Sequence, residues 1–136
     1  MKKVIEAWGQ ADLRPAHEAF DENIVWKSAA SHEDGKLCFG GVYNGKAAVI
    51  MLLSKLSTRY YFRRYVAKEI ISKGEVVWGL FDVQGSYIST NGATTVGKPI
   101  SIENAFRWRI RNGKVVEAQS FFDTVALLAQ QGELRM

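Results

Sequence analysis

The apolar positions of this chain change their spacing along its length, and each change marks a new kind of element. Val4, Ile5, Ala7 and Trp8 suit one side of a short helix stopped by Gly9, while Leu13, Ala16, His17 and Phe20 mark one face of a second helix. Asp12 is placed to cap that second helix, and Pro15 falls in its first turn, where the missing amide proton costs little. From Asn23 to Ala29 the period drops to that of a strand, with Ile24, Trp26 and Ser28 alternating against Val25, Lys27 and Ala29. Gly35, Gly40 and Gly41 mark loops, after which Asn44 is placed to cap a third helix with the stripe Val49, Leu52, Leu53 and Leu56. Beyond it, residues 60–72, 75–89 and 99–122 are rich in aromatic and β-branched residues and punctuated by Gly74, Gly97 and Asn112-Gly113, which predicts long antiparallel strands. A last helix runs from an Asp123 cap through Val125, Leu127 and Leu128 to Gly132, which suits the left-handed position after a helix end.

Helices first, then a meander of strands and a closing helix, is an α+β order. It predicts one domain over residues 1–136, with a curved antiparallel sheet wrapped around the N-terminal helices and a pocket on its concave face. No fixed-period repeat, low-complexity tract or proline-rich linker suggests a boundary.

Strand parity decides which side chains reach that pocket, because a slip of one residue exchanges the two faces. Around Asn112-Gly113, a two-residue loop pairs Trp108 with Glu117 and Phe106 with Gln119. A three-residue loop over Arg111-Asn112-Gly113, with Gly113 left-handed, instead pairs Trp108 with Val116, Phe106 with Ala118 and Asn104 with Ser120. The second register sets apolar against apolar and is preferred. It puts Ile100, Ile102, Asn104, Phe106, Trp108 and Ile110 on one face and Arg107, Arg109 and Arg111 on the other. Asp82 belongs to the alternation Trp78, Leu80, Asp82 and Gln84, which turns from apolar to polar as a pocket wall does near its mouth. The opposite set, Val77, Phe81, Val83 and Tyr87, is equally apolar, so a solvated or interfacial Asp82 stands as the alternative.

Composition narrows the function classes. With 47% apolar and 24% charged residues the chain has the balance of a folded globular protein. A single cysteine, Cys38, excludes an intrachain disulfide, and no Cys/His cluster has zinc-site spacing, so no metal or cofactor is expected. The start, Met1-Lys2-Lys3, resembles a signal n-region, but Glu6, Gln10 and Asp12 interrupt any apolar stretch after it. No segment approaches the ~20 apolar residues of a membrane span. A cytoplasmic protein without membrane contact is therefore expected. The net charge of +4 is small. Arg59-Tyr60-Tyr61-Phe62-Arg63-Arg64-Tyr65 and Phe106-Arg107-Trp108-Arg109-Ile110-Arg111 interleave basic and aromatic residues as single-strand nucleic-acid binders do, but strand alternation yields the same pattern, and no nucleic acid is expected.

Several segments, in their order and spacing, resemble the SnoaL-like and ketosteroid-isomerase-like branch of the nuclear transport factor two-like superfamily. Phe20-Asp21-Glu22-Asn23-Ile24-Val25-Trp26 is similar to its helix-to-strand junction, and Tyr43-Asn44-Gly45-Lys46-Ala47-Ala48-Val49 to its entry into the third helix. Gly97-Lys98-Pro99, Asn112-Gly113-Lys114-Val115-Val116-Glu117 and Phe121-Phe122-Asp123 before Leu127-Leu128 and Gly132 complete the likeness. The resemblance implies a cone-shaped domain with an open cavity and a homodimer paired through the outer face of the sheet. It also implies that Ser28 stands where ketosteroid isomerases carry their proton-abstracting Asp, and that the tyrosine of their oxyanion hole falls near Val4. Asn104 stands where they hold the acid of that hole, and Ser120 where limonene-epoxide hydrolases carry a catalytic Asp. Asp82 lies close to another acid of those hydrolases, although their arginine two residues earlier is Leu80 here. A serine alone is no general base near neutral pH, so steroid isomerisation and that epoxide hydrolysis are both disfavoured.

The resulting expectation is that a small, largely apolar molecule binds in the cavity. Asp82 is the expected acid–base residue, with Asn104 and Ser120 as hydrogen-bonding partners. Trp26, Ser28, Tyr43, Phe106, Trp108 and His17 are the expected ligand-binding set. Each has a plainer reading: Asn104 as a core amide satisfied by neighbouring hydroxyls, His17 as a satisfied core residue, and the aromatic residues as core. His32, beside Glu33 and Asp34, reads as solvated, and Asp123 as a helix cap. A non-catalytic dimeric ligand-binding or scaffold module is the rival, since Ser28, Val4 and Ser120 replace the groups on which related enzymes depend.

Overall fold

In the computed structural model, which describes residues 2–30, 39–91 and 94–132, α1 (Lys2–Gly9) and α2 (Arg14–Ala19) lead directly into β1 (Phe20–Lys27). There follow β2 (Val42–Asn44), α3 (Lys46–Arg59), β3 (Tyr60–Lys73), β4 (Val76–Asn91), β5 (Thr94–Arg111), β6 (Lys114–Phe121) and α4 (Thr124–Gln131). The expectations on His32, Gly35 and Cys38 lie outside the described residues. The strands form one curved, unclosed sheet in the order β2-β1-β6-β5-β4-β3, so the expected α+β class stands. One feature departs from a purely antiparallel meander, because β1 pairs in parallel with β6.

The concave face carries the core. Ile24 and Trp26 of β1, Phe81 and Val83 of β4, Phe106 and Trp108 of β5 and Ala118 of β6 are all buried there, beneath Ile5 and Trp8 of α1 and Val49, Leu52, Leu53 and Leu56 of α3. Trp8 ties the two helices together, its indole Nε1 donating to the Leu53 carbonyl at 3.1 Å. At the other end of the chain the cap reading holds: Asp123 accepts the Ala126 amide proton at 2.9 Å, and Gly132 closes α4 at φ +77°.

Two other cap expectations need correction. The residue before α2 is Leu13, with no side-chain cap, and Asp12 instead accepts from the Arg14 backbone amide and guanidinium, which holds its carboxyl below the usual range. Asn44 is drawn into β2 opposite Val25, leaving Gly45 at φ +92° as the residue before α3.

The hairpin register also differs from both expectations. Arg111 pairs with Lys114, so the loop is the two-residue Asn112-Gly113 with both residues at positive φ, 52° and 75°. This is the double left-handed conformation that lets a tight hairpin follow the strand twist. A bulge then intervenes: Ile110 pairs with Val115 but Arg109 with Glu117, so Val116 is the extra residue. Beyond it Trp108 faces the apolar Ala118, by way of the bulge rather than a longer turn, while Phe106 faces Ser120.

In β4 the parity is the reverse of that expected. Phe81, Val83 and Tyr87 point into the core, while Trp78, Leu80, Asp82 and Gln84 lie on the convex side. The β4–β5 pairing runs unbroken from Val76↔Arg109 to Asn91↔Thr94, which sets Phe81 opposite Asn104 on the face that β5 turns inward. Two further bulges lie at Arg63 and Lys68, and the one at Arg63 shifts β3 so that Tyr60, Phe62, Tyr65 and Ala67 all share the concave side. Gly85 makes the first of these possible, since a Cβ there would come within 2.0 Å of the Tyr61 carbonyl oxygen.

Candidate functional site

A cavity of about 70 Å³ opens between the concave sheet face and the helices. Trp8 of α1, Leu52 and Leu56 of α3 and Leu127 of α4 form its helical wall. The sheet contributes Trp26, Tyr60, Phe62, Tyr65, Val83, Ile100, Ile102 and Phe106, and Phe39 and Phe122 come from the segments flanking β2 and α4. The rings hold one another. Phe62 meets Trp8 at 5.3 Å and Tyr65 at 5.0 Å edge-on, Phe106 lies edge-on to Trp26 at 5.7 Å, and Phe39 tilts against Phe122 at 5.6 Å. Such pairs each add about 0.5–1.5 kcal/mol beyond the area they bury.

Besides the Trp8 and Trp26 indole N–H groups and the Tyr60 hydroxyl, which donates to Gln131 Oε1, polar side-chain atoms enter this apolar chamber at one connected place and one separate place. The connected place is a chain of hydrogen bonds across three strands: Tyr65 Oη on β3 donates to Asn104 Oδ1 on β5 at 2.5 Å, and Asn104 Nδ2 donates to Ser120 Oγ on β6 at 2.9 Å and to the Phe121 carbonyl at 3.1 Å. All three side chains are buried. Burial pushes the Tyr65 phenol far above its ordinary pKa, so it stays a neutral donor. The separate place is Ser28 just past β1, whose Oγ accepts the Ala30 amide at 3.4 Å. No Asp, Glu, His, Lys or Arg lines the cavity among the described residues.

The expected site residues therefore divide. Asn104, Ser120, Trp26, Ser28 and Phe106 converge on the cavity. Asp82 does not: it lies on the convex face in an ion pair with Arg64, Nε to Oδ2 at 2.6 Å. The sheet stands between Asp82 and the cavity, so the structure does not bring it together with Asn104 and Ser120. His17 is exposed on α2, because the buried stripe of that short helix is carried by Ala16 alone. Tyr43 sits on the edge strand β2 and donates its hydroxyl proton to the Gly40 carbonyl at 2.9 Å. Trp108 is fully buried behind Phe106, stacked on it at 5.3 Å, and does not reach the cavity.

Sequence reasoning missed Tyr65, because a bulge decides which way it points. Aromatic residues in β3 fall at 60, 61, 62 and 65, so strand parity alone sets Tyr65 beside the exposed Tyr61, and it is the extra residue Arg63 that turns Tyr65 to the concave side. Among the described residues no group of His, Cys, Asp and Glu is arranged to hold a metal ion, and no helix is long and apolar enough to cross a membrane.

The family model described as a SnoaL-like domain matches residues 1–118. Among solved structures, the chain is similar to a candidate SnoaL-like polyketide cyclase from Jannaschia sp. CCS1 at 14% identity and a TM-score of 0.78, covering 98% of this chain and 89% of that one. It is similar to TerC, co-crystallised with polyporic acid, at 21% identity and a TM-score of 0.74, covering 93% and 90%. An NTF2-like protein of unknown function from Burkholderia pseudomallei K96243 matches at 22% identity and a TM-score of 0.73, covering 93% and 90%. No curated protein matches the chain.

Proposed function

The chain belongs to the SnoaL-like domain family, and from that premise we propose that it binds a small, neutral, largely apolar molecule in the cavity beneath α1, α3 and α4. One observation carries the reading: an aromatic and aliphatic chamber holds a few convergent neutral polar groups, the usual composition of a small-molecule site. A charged ligand would meet no counter-charge among the described residues, and an unpaired buried charge costs far more than a hydroxyl contact returns. The structural neighbour co-crystallised with polyporic acid supports a small-molecule role in this fold. Steroid isomerisation is not proposed, since the cavity position expected to supply the base is Ser28.

The test is native mass spectrometry of the intact protein purified from cells, followed by extraction of any bound compound. A neutral organic adduct on the 15.2 kDa chain, displaced by Phe106→Arg, is the expected result. The bare polypeptide mass, together with tryptophan fluorescence indifferent to a panel of flat aromatic ketones, would refute the proposal.

A second reading is favoured by the size of the chamber. Ligand clefts commonly measure about 300–1,000 Å³, and this one, at about 70 Å³, is largely filled by its own rings. That is the mark of a non-catalytic scaffold module, and the refuting result above is the one it expects. Either reading accommodates a homodimer through the convex face. Trp78 and Phe121, 44% and 41% exposed, stack there with ring centres 5.9 Å apart, beside Ile71 at 58%. Phe81, Val83 and Tyr87 face the core, so this outward set, with Phe121, is the apolar surface of the convex face.

A further inference from the structure

We propose that Ser120, and not Asn104, is the hydrogen-bond donor that the cavity presents to its ligand, and that the ligand group it takes is a neutral carbonyl-type oxygen. The inference rests on the binding reading above and specifies its chemistry.

The argument is one of proton bookkeeping along the Tyr65–Asn104–Ser120 chain. An amide can be placed either way round in its site, but here its neighbours decide. The atom assigned as Nδ2 lies 3.1 Å from the Phe121 carbonyl oxygen and 3.4 Å from the Ala105 carbonyl oxygen. Both are acceptors only, so the NH₂ end must face them. Oδ1 then faces Tyr65 Oη at 2.5 Å, and because Oδ1 has no proton, Tyr65 must donate. Nδ2 has two protons, and Ser120 Oγ at 2.9 Å and the Phe121 carbonyl take them, so Ser120 must accept. Asn104 has no proton left for a ligand. Its position matches the donor expected from the family resemblance, but its donors are spent on its own fold.

The consequence falls on Ser120. Its hydroxyl carries one proton, its oxygen is already an acceptor, and no described residue receives that proton. The side chain lines the cavity and is only 6% exposed, so the cavity is where an acceptor would complete it. Because each link polarises the next, a proton at the end of a chain fed by Tyr65 is a better donor than an isolated serine. A carboxylate would also accept it, but no cation among the described residues lines the chamber to neutralise one. A ketone or quinone oxygen meets both conditions. Among the described residues the cavity holds two competitors: Ser28, whose proton is likewise unassigned while its oxygen accepts the Ala30 amide at 3.4 Å, and Trp26, whose indole N–H is engaged by no hydrogen bond.

Two small probes of nearly equal shape separate the possibilities: acetophenone, labelled with ¹³C at the carbonyl, and α-methylstyrene, in which the oxygen is replaced by a methylene. Titration into the intact folded chain should show acetophenone bound about three- to ten-fold more tightly, the return on one hydrogen bond, with a downfield shift of its carbonyl resonance. Ser120→Ala should abolish both the preference and the shift while leaving α-methylstyrene affinity unchanged; Ser28→Ala should leave both in place. Equal binding of the two probes by the wild-type protein overturns the inference but leaves the binding reading standing. A preference that survives Ser120→Ala also overturns it, and assigns the donor to Ser28 if it disappears in Ser28→Ala or to the Trp26 indole if it disappears in Trp26→Phe. Failure of both probes to bind, with the melting temperature of each variant showing an intact fold, removes the binding reading and this inference together.

Discussion

Replacing Asn104 with leucine tests the hydrogen-bond chain at its centre. Leucine branches at the same carbon and fits the apolar surroundings, but it breaks the bonds to Tyr65, Ser120 and the Phe121 carbonyl in one step. The Tyr65 hydroxyl is then left buried without its acceptor, and orphaning a buried group costs about 1–3 kcal/mol. The Phe121 carbonyl loses one donor as well, so a total near 3 kcal/mol is expected, offset in part by the added methyl burial. For a domain of this length each kcal/mol moves the melting temperature by roughly 4 °C, so Asn104→Leu should melt about 10 °C lower. The decisive measurement is a double-mutant cycle in urea with Tyr65→Phe. Alone, Tyr65→Phe removes the donor and should cost about 1–2 kcal/mol. Added to Asn104→Leu it should cost nothing or restore stability, because it takes away the orphaned hydroxyl. A coupling energy above about 1 kcal/mol is expected; additivity within about 0.5 kcal/mol would show that the two side chains do not pair, and the assignment of the Ser120 proton would fall with it.

Three other perturbations read separate parts of the fold. Gly85→Ala drives a Cβ to within 2.0 Å of the Tyr61 carbonyl oxygen, and it should cost more than about 3 kcal/mol or prevent folding, which circular dichroism and urea titration would register. Asp82→Asn breaks an ion pair in which the Arg64 side chain is 51% exposed, so it should shift stability by less than about 1 kcal/mol and leave acetophenone titration unchanged. A loss of binding would place Asp82 in the ligand's path after all. Trp78→Lys, directed at the exposed stack with Phe121, should convert a dimer to a 15.2 kDa monomer in sedimentation velocity; a wild-type protein already monomeric at micromolar concentration would refute the convex-face interface.

Which parts of this architecture could be read from the sequence follows from how local their causes are. The α3 stripe, the Asp123 cap and the left-handed Gly132 each depend on a few neighbouring residues, and each is found as expected. The face of β5 was legible because one parity is arginine-rich and the other apolar. In β4 both parities are apolar, so the choice rested on the register with β5, and the sequence reading ended β4 at Ser89 and began β5 at Pro99. The pairing runs unbroken to Asn91↔Thr94, and within it Phe81 lies opposite Asn104 and Asp82 opposite Glu103, which sets Phe81 inward and Asp82 outward. The turn at Asn112-Gly113 shows the same limit from the other side. Burying Trp108 against an apolar partner was the right demand, but a tight turn followed by a bulge at Val116 meets it with Ala118 as well as a longer turn does with Val116, while Phe106 pairs with Ser120.

The candidate site shows a further limit, which concerns protons rather than positions. That a polar residue at 104 stands on an apolar strand face is visible in the sequence. Whether it serves a ligand depends on how many of its hydrogen-bonding atoms the fold consumes, and that count needs Tyr65, displaced into place by the bulge at Arg63, and the Phe121 carbonyl at the end of β6. A carboxylic acid at position 104 would have presented a different balance. Protonated, it carries one donor, and with an acceptor-only carbonyl 3.1 Å away that proton would be consumed by the backbone or turned toward the cavity, but not both. The amide has two protons, satisfies Phe121 with one and passes the other to Ser120, so the donor function moves one side chain along to a hydroxyl that keeps a neutral proton at any physiological pH. Asn104→Asp should therefore make acetophenone binding pH-dependent. A neutral acid leaves Ser120 without its donor, and an ionised one, facing Tyr65 and accepting the Ser120 proton, withdraws that proton from the ligand. The carbonyl preference should fall as pH rises through the titration of the introduced acid, and a preference independent of pH in that variant would contradict the proton assignment.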